Sequence, residues 1–381
     1  MHRYLLAICI LIVIILIFGQ NTIIVIILFA YISWNLLDLD RAGFEKIGGI
    51  EKDDFPYKKL NIKIKDLDAR FDRLKTFEFH IVPRKYNIKN VDKTYQQYGG
   101  RQMVIDHPKS YYDTYDNISD YFIEHMRVKC VRSDQKMSVF DYWNHHKKDI
   151  EMHCKSKYGK VNSHNLRESL YDLIYECNTF KPSLIVGFIK MFKPKSILDI
   201  SAGWGDRLIG SMACNVDYIG VDPADLHTEY KNMIEHFGHT SSTMLIKGKF
   251  EDPDILKDLN KKVDMIFSSP PFYDLEKYYS NDESQSYMNR SVDDWFNNFL
   301  IVSIKKAWSF LNEGGHLVLY IADAYNRKPY VQRMINEINK FGSYKGCLPQ
   351  MDLKQNIPRP FWIWRKSVSS PFVKMMGVVG F

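Results

Sequence analysis

A doubly wound α/β sheet is the fold class this sequence predicts, and three observations predict it. From about residue 180 to residue 366, short apolar runs of strand type alternate with amphipathic helical segments, the pattern of a sheet covered by helices. The first run, Lys195–Ile200, opens into Ser201-Ala202-Gly203-Trp204-Gly205 and then a helix over about Asp206–Met212. A later run, Met265–Phe267, stops at Ser268-Ser269-Pro270-Pro271-Phe272, a turn stiffened by two fixed φ angles and two missing N–H donors.

Each element has a local reason. A bend where backbone closely approaches a ligand needs residues without bulk, which Gly203 and Gly205 supply and Ala202 nearly does. The second strand, Tyr218–Val221, ends at Asp222, and the third, Met244–Ile246, leads to Gly248-Lys249-Phe250-Glu251-Asp252. Met265–Phe267 reads as a buried strand, and its Pro-Pro turn falls at the sheet edge where such folds bind ligands. Val292–Leu311 carries Trp295, Phe299, Val302 and Trp308 on one side and reads as an amphipathic helix. Asn312-Glu313-Gly314-Gly315 is expected to end it, followed by a fifth strand over His316–Ile321. A further helix bears Arg333, and Pro360–Arg365 reads as a terminal strand.

The glycine turn and the Ser-Pro-Pro-Phe turn together resemble the motifs of S-adenosylmethionine-dependent amino-methyltransferases of the DNA N4-cytosine/N6-adenine type, over residues 180–366. Tyr273-Asp274-Leu275-Glu276-Lys277-Tyr278 and Asp282–Tyr287 are similar to a subset found in phages and large viruses. The resemblance implies a Rossmann-like class I methyltransferase sheet, mostly parallel with one antiparallel strand. It implies S-adenosyl-L-methionine as cofactor, held by Asp199, Ser201, Ala202, Gly203, Gly205, Asp222, Phe250, Glu251 and Lys181. In that reading Asp199 meets the methionine ammonium or a water beside it, and Asp222 accepts from the ribose hydroxyls. Phe250 packs on the adenine face and Glu251 or Asp252 accepts from its amino group, although both acids also suit a helix start. Lys181 belongs to Phe180-Lys181-Pro182-Ser183, which is similar to the segment closing over the methionine end. Ser269, Pro270, Pro271 and Phe272 form the catalytic turn. Ser269 Oγ and the Pro270 carbonyl draw on the hydrogens of an exocyclic amine, and Phe272 stacks on an extruded base. Glu276 and Tyr278 are candidate substrate contacts. Ser201 stands where the fullest Gly-x-Gly-x-Gly form has its first glycine.

Ahead of this half, the apolar run from Tyr4 to Trp34, broken only at Gly19–Thr22, exceeds the ~20 residues a helix needs to cross a bilayer. A single-pass anchor is expected over residues 1–40, with Tyr31 and Trp34 at the interface and the catalytic part on the cytosolic side, where the cofactor is found. Residues 41–180 read as a mixed accessory region for substrate recognition, with basic–aromatic stretches at Arg84–Lys89 and Tyr95–Arg101. Leu166–Cys177 reads as a helix leading into the methyltransferase domain at 181–368, and 369–381 is a tail.

Composition bounds the rest. The net charge of +7 over 381 residues has the sign for a polyanionic partner, yet it is too mild to establish one. Six scattered cysteines without a Cys-x-x-Cys pair argue against a disulfide framework or a zinc ribbon. His145, His146, His153, Cys154 and His164 fit no recognised metal spacing, so no metal is assigned. The expected function is a membrane-anchored methyltransferase acting on an exocyclic amino nitrogen of a DNA base, cytosine N4 or adenine N6. RNA and protein-glutamine amino-methyltransferases use related turns and stay open, as does a non-catalytic membrane scaffold that retains the fold.

Overall fold

The computed structural model describes residues 54–78, 81–83, 103–105, 117–238, 241–273, 275–278, 291–323, 330–350 and 359–368. Two compact units make up the chain, Met1–Phe55 and Pro56–Phe381, and the described helices and strands all belong to the second. Among the described residues no helix is long and apolar enough to cross a membrane. The apolar run 4–34, the basic–aromatic stretches at 84–101, most of the polar segment after the Pro-Pro turn (279–290) and the tail 369–381 lie outside them.

The strands are β1 (Ile81–Pro83), β2 (Met103–Ile105), β3 (Val131–Arg132), β4 (Ser196–Asp199), β5 (Asp217–Asp222), β6 (Thr243–Lys247), β7 (Val263–Ser268), β8 (Glu276–Lys277), β9 (Leu311–Tyr320), β10 (Ser343–Gln350) and β11 (Arg359–Arg365). All but β3 and β8 form one sheet in the order β1-β2-β10-β11-β9-β7-β4-β5-β6. Strands β6, β5, β4, β7 and β9 run parallel, and β11 is antiparallel to both β9 and β10. This is the Rossmann-like, doubly wound sheet expected from the sequence, but two strands run against the others, β11 and the edge strand β1, where one was expected.

The central strands are buried almost throughout, as a sheet covered on both faces requires, and their side chains point alternately to its two sides. Ile197, Met265, Phe267, Val318, Phe361 and Ile363 point into one cluster. Their neighbours Leu198, Ile266, Leu317, Leu319, Trp362 and Trp364 point into the other. The first cluster is covered by α1 (Ile64–Thr76), α2 (Asp120–Arg127), α5 (Pro182–Phe192), α6 (Asp206–Ala213) and α7 (His227–Phe237). The second is covered by a helical run, α8 (Val292–Ser309, with a π turn at Phe296–Leu300), and by α9 (Val331–Ile338). Between α2 and α5 stand α3 (Val139–Tyr158) and α4 (Ser163–Leu173), which pack on each other.

Four elements depart from the sequence expectation. No break in the core falls at residue 180, because Leu67, Phe71, Ile123 and Cys130 share the cluster with Ile185 and Leu208. Strands β1 and β2 add to the central sheet through the parallel pairing of β2 with β10. Helix α4 ends at Leu173, since Ile174 is extended, rather than continuing to Cys177. The stretch Asn312–Gly315 begins strand β9, and its register with β7 jumps between Val263↔Leu311 and Met265↔His316.

A buried charge cluster fastens the first part of this unit together. Lys58 Nζ lies 2.5 Å from Asp120 Oδ2, and Arg127 bonds Asp120 Oδ1 at 3.0 and 2.6 Å through Nε and Nη2. Glu124 accepts from the Lys58 backbone N–H at 2.5 Å and from the Tyr171 hydroxyl at 3.1 Å. Burial pushes the Glu124 carboxyl up to about 7, whereas Arg127 and Lys58 hold Asp120 down to about 2 against the burial that would raise it, and the same two cations lower Glu176. The folded state therefore keeps a proton on Glu124 that the unfolded chain releases near 4.5. Its contribution to stability is present below that value and is lost as pH rises through about 7. Asp120 and Glu176 act in the opposite sense, but only in more acid solution. Glu124→Gln is thus expected to remove on the order of 3 kcal/mol of stability loss across that window, read from urea midpoints on either side of it. An unchanged slope would assign the titration elsewhere.

Candidate active site

The strand order reverses at β4, with β5 on one side and β7 on the other. Open α/β sheets bind ligands at this kind of switch point, beyond the carboxyl ends of the strands. The glycine turn follows β4 and the Ser-Pro-Pro-Phe turn follows β7, so both motifs meet there although about 60 residues separate them in the chain. The Ser268 hydroxyl closes the gap, donating to Asp199 Oδ1 at 2.8 Å.

Asp199 is fully buried and its carboxylate is already surrounded. Oδ1 accepts from Ser268 and from the Ser201 backbone N–H at 3.1 Å. Oδ2 accepts from Arg207 Nε at 2.5 Å and from the Tyr218 hydroxyl at 2.7 Å. Two protein donors at each oxygen and no exposure leave no room for the role expected of Asp199 at the methionine ammonium. Its work is to fix Arg207, whose guanidinium also donates to the Ser201 carbonyl and so braces the turn. Burial alone would lower the Arg207 guanidinium, but the charge and hydrogen bond of Asp199, helped by Tyr218 and Asp206, together hold it above its usual range. Arg207, Tyr218 and Ser268 were not singled out from the sequence. An arginine at the second position of the helix behind the turn, eight residues after a strand-end aspartate, was the available signal.

The turn itself is built on left-handed backbone, with φ of +61° at Gly203 and +85° at Gly205. A Cβ at Gly205 would stand 2.7 Å from Met233 Sδ. Ala202 is buried and its N–H bonds the Val221 carbonyl at 3.0 Å, while Ser201 is half-buried. Tyr230 donates to the Gly203 carbonyl from α7.

Asp222 closes the second strand, 8% exposed. Its Oδ2 accepts from the Gly203 N–H at 2.8 Å and its Oδ1 from the Ala224 N–H at 2.9 Å. Each oxygen keeps a further lone pair, so the group can accept once more at each. Burial pushes its carboxyl up, against the two backbone bonds.

Two adenine contacts expected from the sequence stand differently. Phe250 is 1% exposed within the cluster under α8, with Lys306 over its ring, so its face is core and is not available to a base. Residues 250–258 form turns instead of a helix, which removes the helix-start reading of Glu251 and Asp252. Glu251 remains half-buried and Asp252 exposed. Lys181 occupies the position before the first turn of α5 without a side-chain capping bond, and Pro182 takes the first position, where a missing N–H costs nothing. Beside it, Phe180 stacks edge-on against Phe267, Tyr320 and Phe361 and lies 5.2 Å from the Arg207 guanidinium carbon.

In the Pro-Pro turn, Pro270 is buried and Ser269, Pro271 and Phe272 are half-buried. The Phe272 ring lies 6.1 Å from Tyr320. The turn ends on Tyr273 at φ +56°, a left-handed conformation unusual for a bulky side chain, held against Trp295. Glu276, expected at substrate, is buried instead. Its Oε1 accepts from the Asn178 N–H at 2.8 Å and its Oε2 from the Tyr278 hydroxyl at 2.6 Å. Tyr278 in turn meets Trp204 edge-on at 5.8 Å, so Glu276 and Tyr278 tether the chain beside the glycine turn. Asp274 lies outside the described residues.

These residues suit an S-adenosylmethionine-like group in part. A strand-end carboxylate with spare lone pairs stands next to a left-handed glycine turn at the switch point. The Asp199 and Phe250 contacts of the family pattern are taken up by the protein itself. Among the described residues no His, Cys, Asp and Glu cluster could hold a metal ion, and His153 bonds Asp172 at 3.2 Å.

No protein-family model matches the sequence, and no curated protein does. Among solved structures the chain is similar to TrmN from Thermus thermophilus, at 11% identity and TM-score 0.37 over 50% of each chain. It is similar to NSun6 from Pyrococcus horikoshii, at 16% identity and TM-score 0.36 over 51% of this chain and 54% of that one. An rRNA methylase from Streptococcus thermophilus matches at 14% identity and TM-score 0.34, over 50% of this chain and all of that one. The chain thus spans about half the length of TrmN and of NSun6. Similarity at this level says nothing of substrate or partner.

Proposed function

We propose that this protein is a methyltransferase that moves a methyl group from S-adenosylmethionine to an exocyclic amino nitrogen of a DNA base, cytosine N4 or adenine N6. The observation that carries the reading is the meeting of the two turns at adjacent strand ends, joined by the Ser268–Asp199 bond of 2.8 Å. The cofactor, when bound, supplies a methyl group on a sulfonium, the electrophile of the reaction.

Everything else falls to the chain. Asp222, with a lone pair left on each oxygen, accepts from a vicinal diol. Gly203 and Gly205 keep the turn free of side-chain bulk. Ser269 Oγ and the Pro270 carbonyl accept the two hydrogens of the amine, which turns the nitrogen lone pair outward, and Phe272 offers a face to the extruded base. No general base is required before transfer, since the proton can leave to water afterwards. The chemistry is then chiefly alignment. In the same reading the apolar run 4–34 anchors this unit to a membrane with the site in the cytosol.

The test is calorimetric titration of S-adenosylmethionine into the full chain and into Asp222→Asn, with thermal melts as a control of fold. Binding by the wild type, weakened about tenfold or more in the variant by the loss of a charged acceptor, is expected. Tritium transfer from the cofactor to duplex and single-stranded oligonucleotides then reports the acceptor. A folded wild-type chain that binds no cofactor would sink the reading.

A further inference from the structure

Residues 128–178 leave the core at Cys130 and return to it at Cys177, both buried in the same cluster. This arm contains the α3–α4 pair, and its stem is clamped. Arg127 Nη1 bonds the Cys177 carbonyl at 2.7 Å and pairs with Glu176 Oε2 at 2.6 Å. At its near end the arm grips the segment that follows the catalytic turn. Strand β3 pairs antiparallel with β8, Arg132 opposite Glu276 and Val131 opposite Lys277. Two backbone bonds complete the link: Ser133 N–H to the Leu275 carbonyl at 2.9 Å, and Leu275 N–H to the Phe272 carbonyl at 3.2 Å. The base-facing phenylalanine of the turn is thus connected to the arm through a single residue.

On this part of the arm stands Tyr175, 66% exposed and the most exposed aromatic residue described. Burial does not hold it in place. The Arg132 guanidinium carbon lies 5.7 Å from its ring centroid, and Asp134 locks that guanidinium through bonds of 3.0 and 2.9 Å. Gln135 Nε2 holds the Tyr175 carbonyl at 2.8 Å. An aromatic ring kept in water with an arginine stacked beside it is a poor way to stabilise a fold and a good way to offer a π face. Lys129, Lys136 and Lys277 are exposed along the same arm and its partner strand, giving the sign a phosphate backbone needs.

Resting on the reading of a nucleic-acid methyltransferase, we propose that Tyr175, backed by Arg132, is a stacking platform for a single-stranded nucleotide that flanks the target base. The target enters at Ser269–Phe272 while its neighbour stacks on Tyr175. Substrate is thereby held by an element outside the cofactor half, which has no separate recognition domain between its two turns.

The experiment uses the full chain and a fluorescein-labelled single-stranded oligonucleotide, followed by anisotropy, with methyl transfer and cofactor calorimetry in parallel. Tyr175→Ala is expected to weaken oligonucleotide binding and raise KM about tenfold, as loss of one base stack does, with kcat and cofactor affinity unchanged. Tyr175→Phe keeps the ring and is expected to behave as wild type. Equal oligonucleotide affinity in wild type and Tyr175→Ala would overturn the platform and leave the functional reading standing. A wild-type chain that binds cofactor but neither binds nor methylates nucleic acid would overturn the reading itself, and the platform with it.

Discussion

Arg207→Ala is expected to lower the unfolding free energy by about 3–5 kcal/mol, because it strands the Asp199 carboxylate in the core without its cation. The geometry leaves little relief. Asp199 is fully buried, Arg207 nearly so, and the pair meets at 2.5 Å under a roof formed by Tyr218 and Ser268. The same substitution removes the bond to the Ser201 carbonyl, so the glycine turn loosens as stability falls. A double-mutant cycle with Asp199→Asn separates the two effects. If Arg207 is the counter-ion, the second substitution costs far less in the Arg207→Ala background than in the wild type, since the stranded charge is gone. Strictly additive urea midpoints would show that the pair is not coupled and that the turn owes its shape to other bonds.

Phe272→Ala is expected to cut kcat/KM for methyl transfer on the order of a hundredfold while cofactor affinity stays within about twofold, since it removes alignment and leaves the cofactor half intact. Phe272 lies after β7, apart from the Asp222 and Gly203 contacts on β5 and the β4 turn. Tyr320 stands 6.1 Å from its ring and braces it from β9. Kinetics with saturating cofactor and varied oligonucleotide, beside calorimetry on the same variant, would read both quantities. Loss of cofactor binding in parallel with activity would instead make Phe272 a structural member of the cofactor pocket.

The sequence by itself determined the fold class and the position of both turns. Short apolar runs followed by glycine or proline breaks are local signals, and β4, β5, β6 and β7 all stand within two residues of their predicted places. The antiparallel end of the sheet was legible only in part. Pro360–Arg365 was readable as a strand, but β10, with a glycine and a proline inside Ser343–Gln350, was not. Nor could local pattern show that β1 and β2 join the sheet through β10, because strand pairing between distant segments leaves no mark on either one.

Only the tertiary structure decided what the polar residues do. Asp199 and Glu276 look alike in sequence to ligand-facing acids, yet each is enclosed by protein donors: Arg207, Tyr218 and Ser268 for one, the distant Asn178 and the neighbouring Tyr278 for the other. Phe250 follows the third strand as an adenine contact should, but α8 packs over it. Asp222 keeps accepting capacity because, among the described residues, its two hydrogen bonds come from backbone N–H groups, one at each oxygen. The physical reason is common to all four. Residue type fixes what a side chain can bond, whereas three-dimensional packing fixes which partners reach it first.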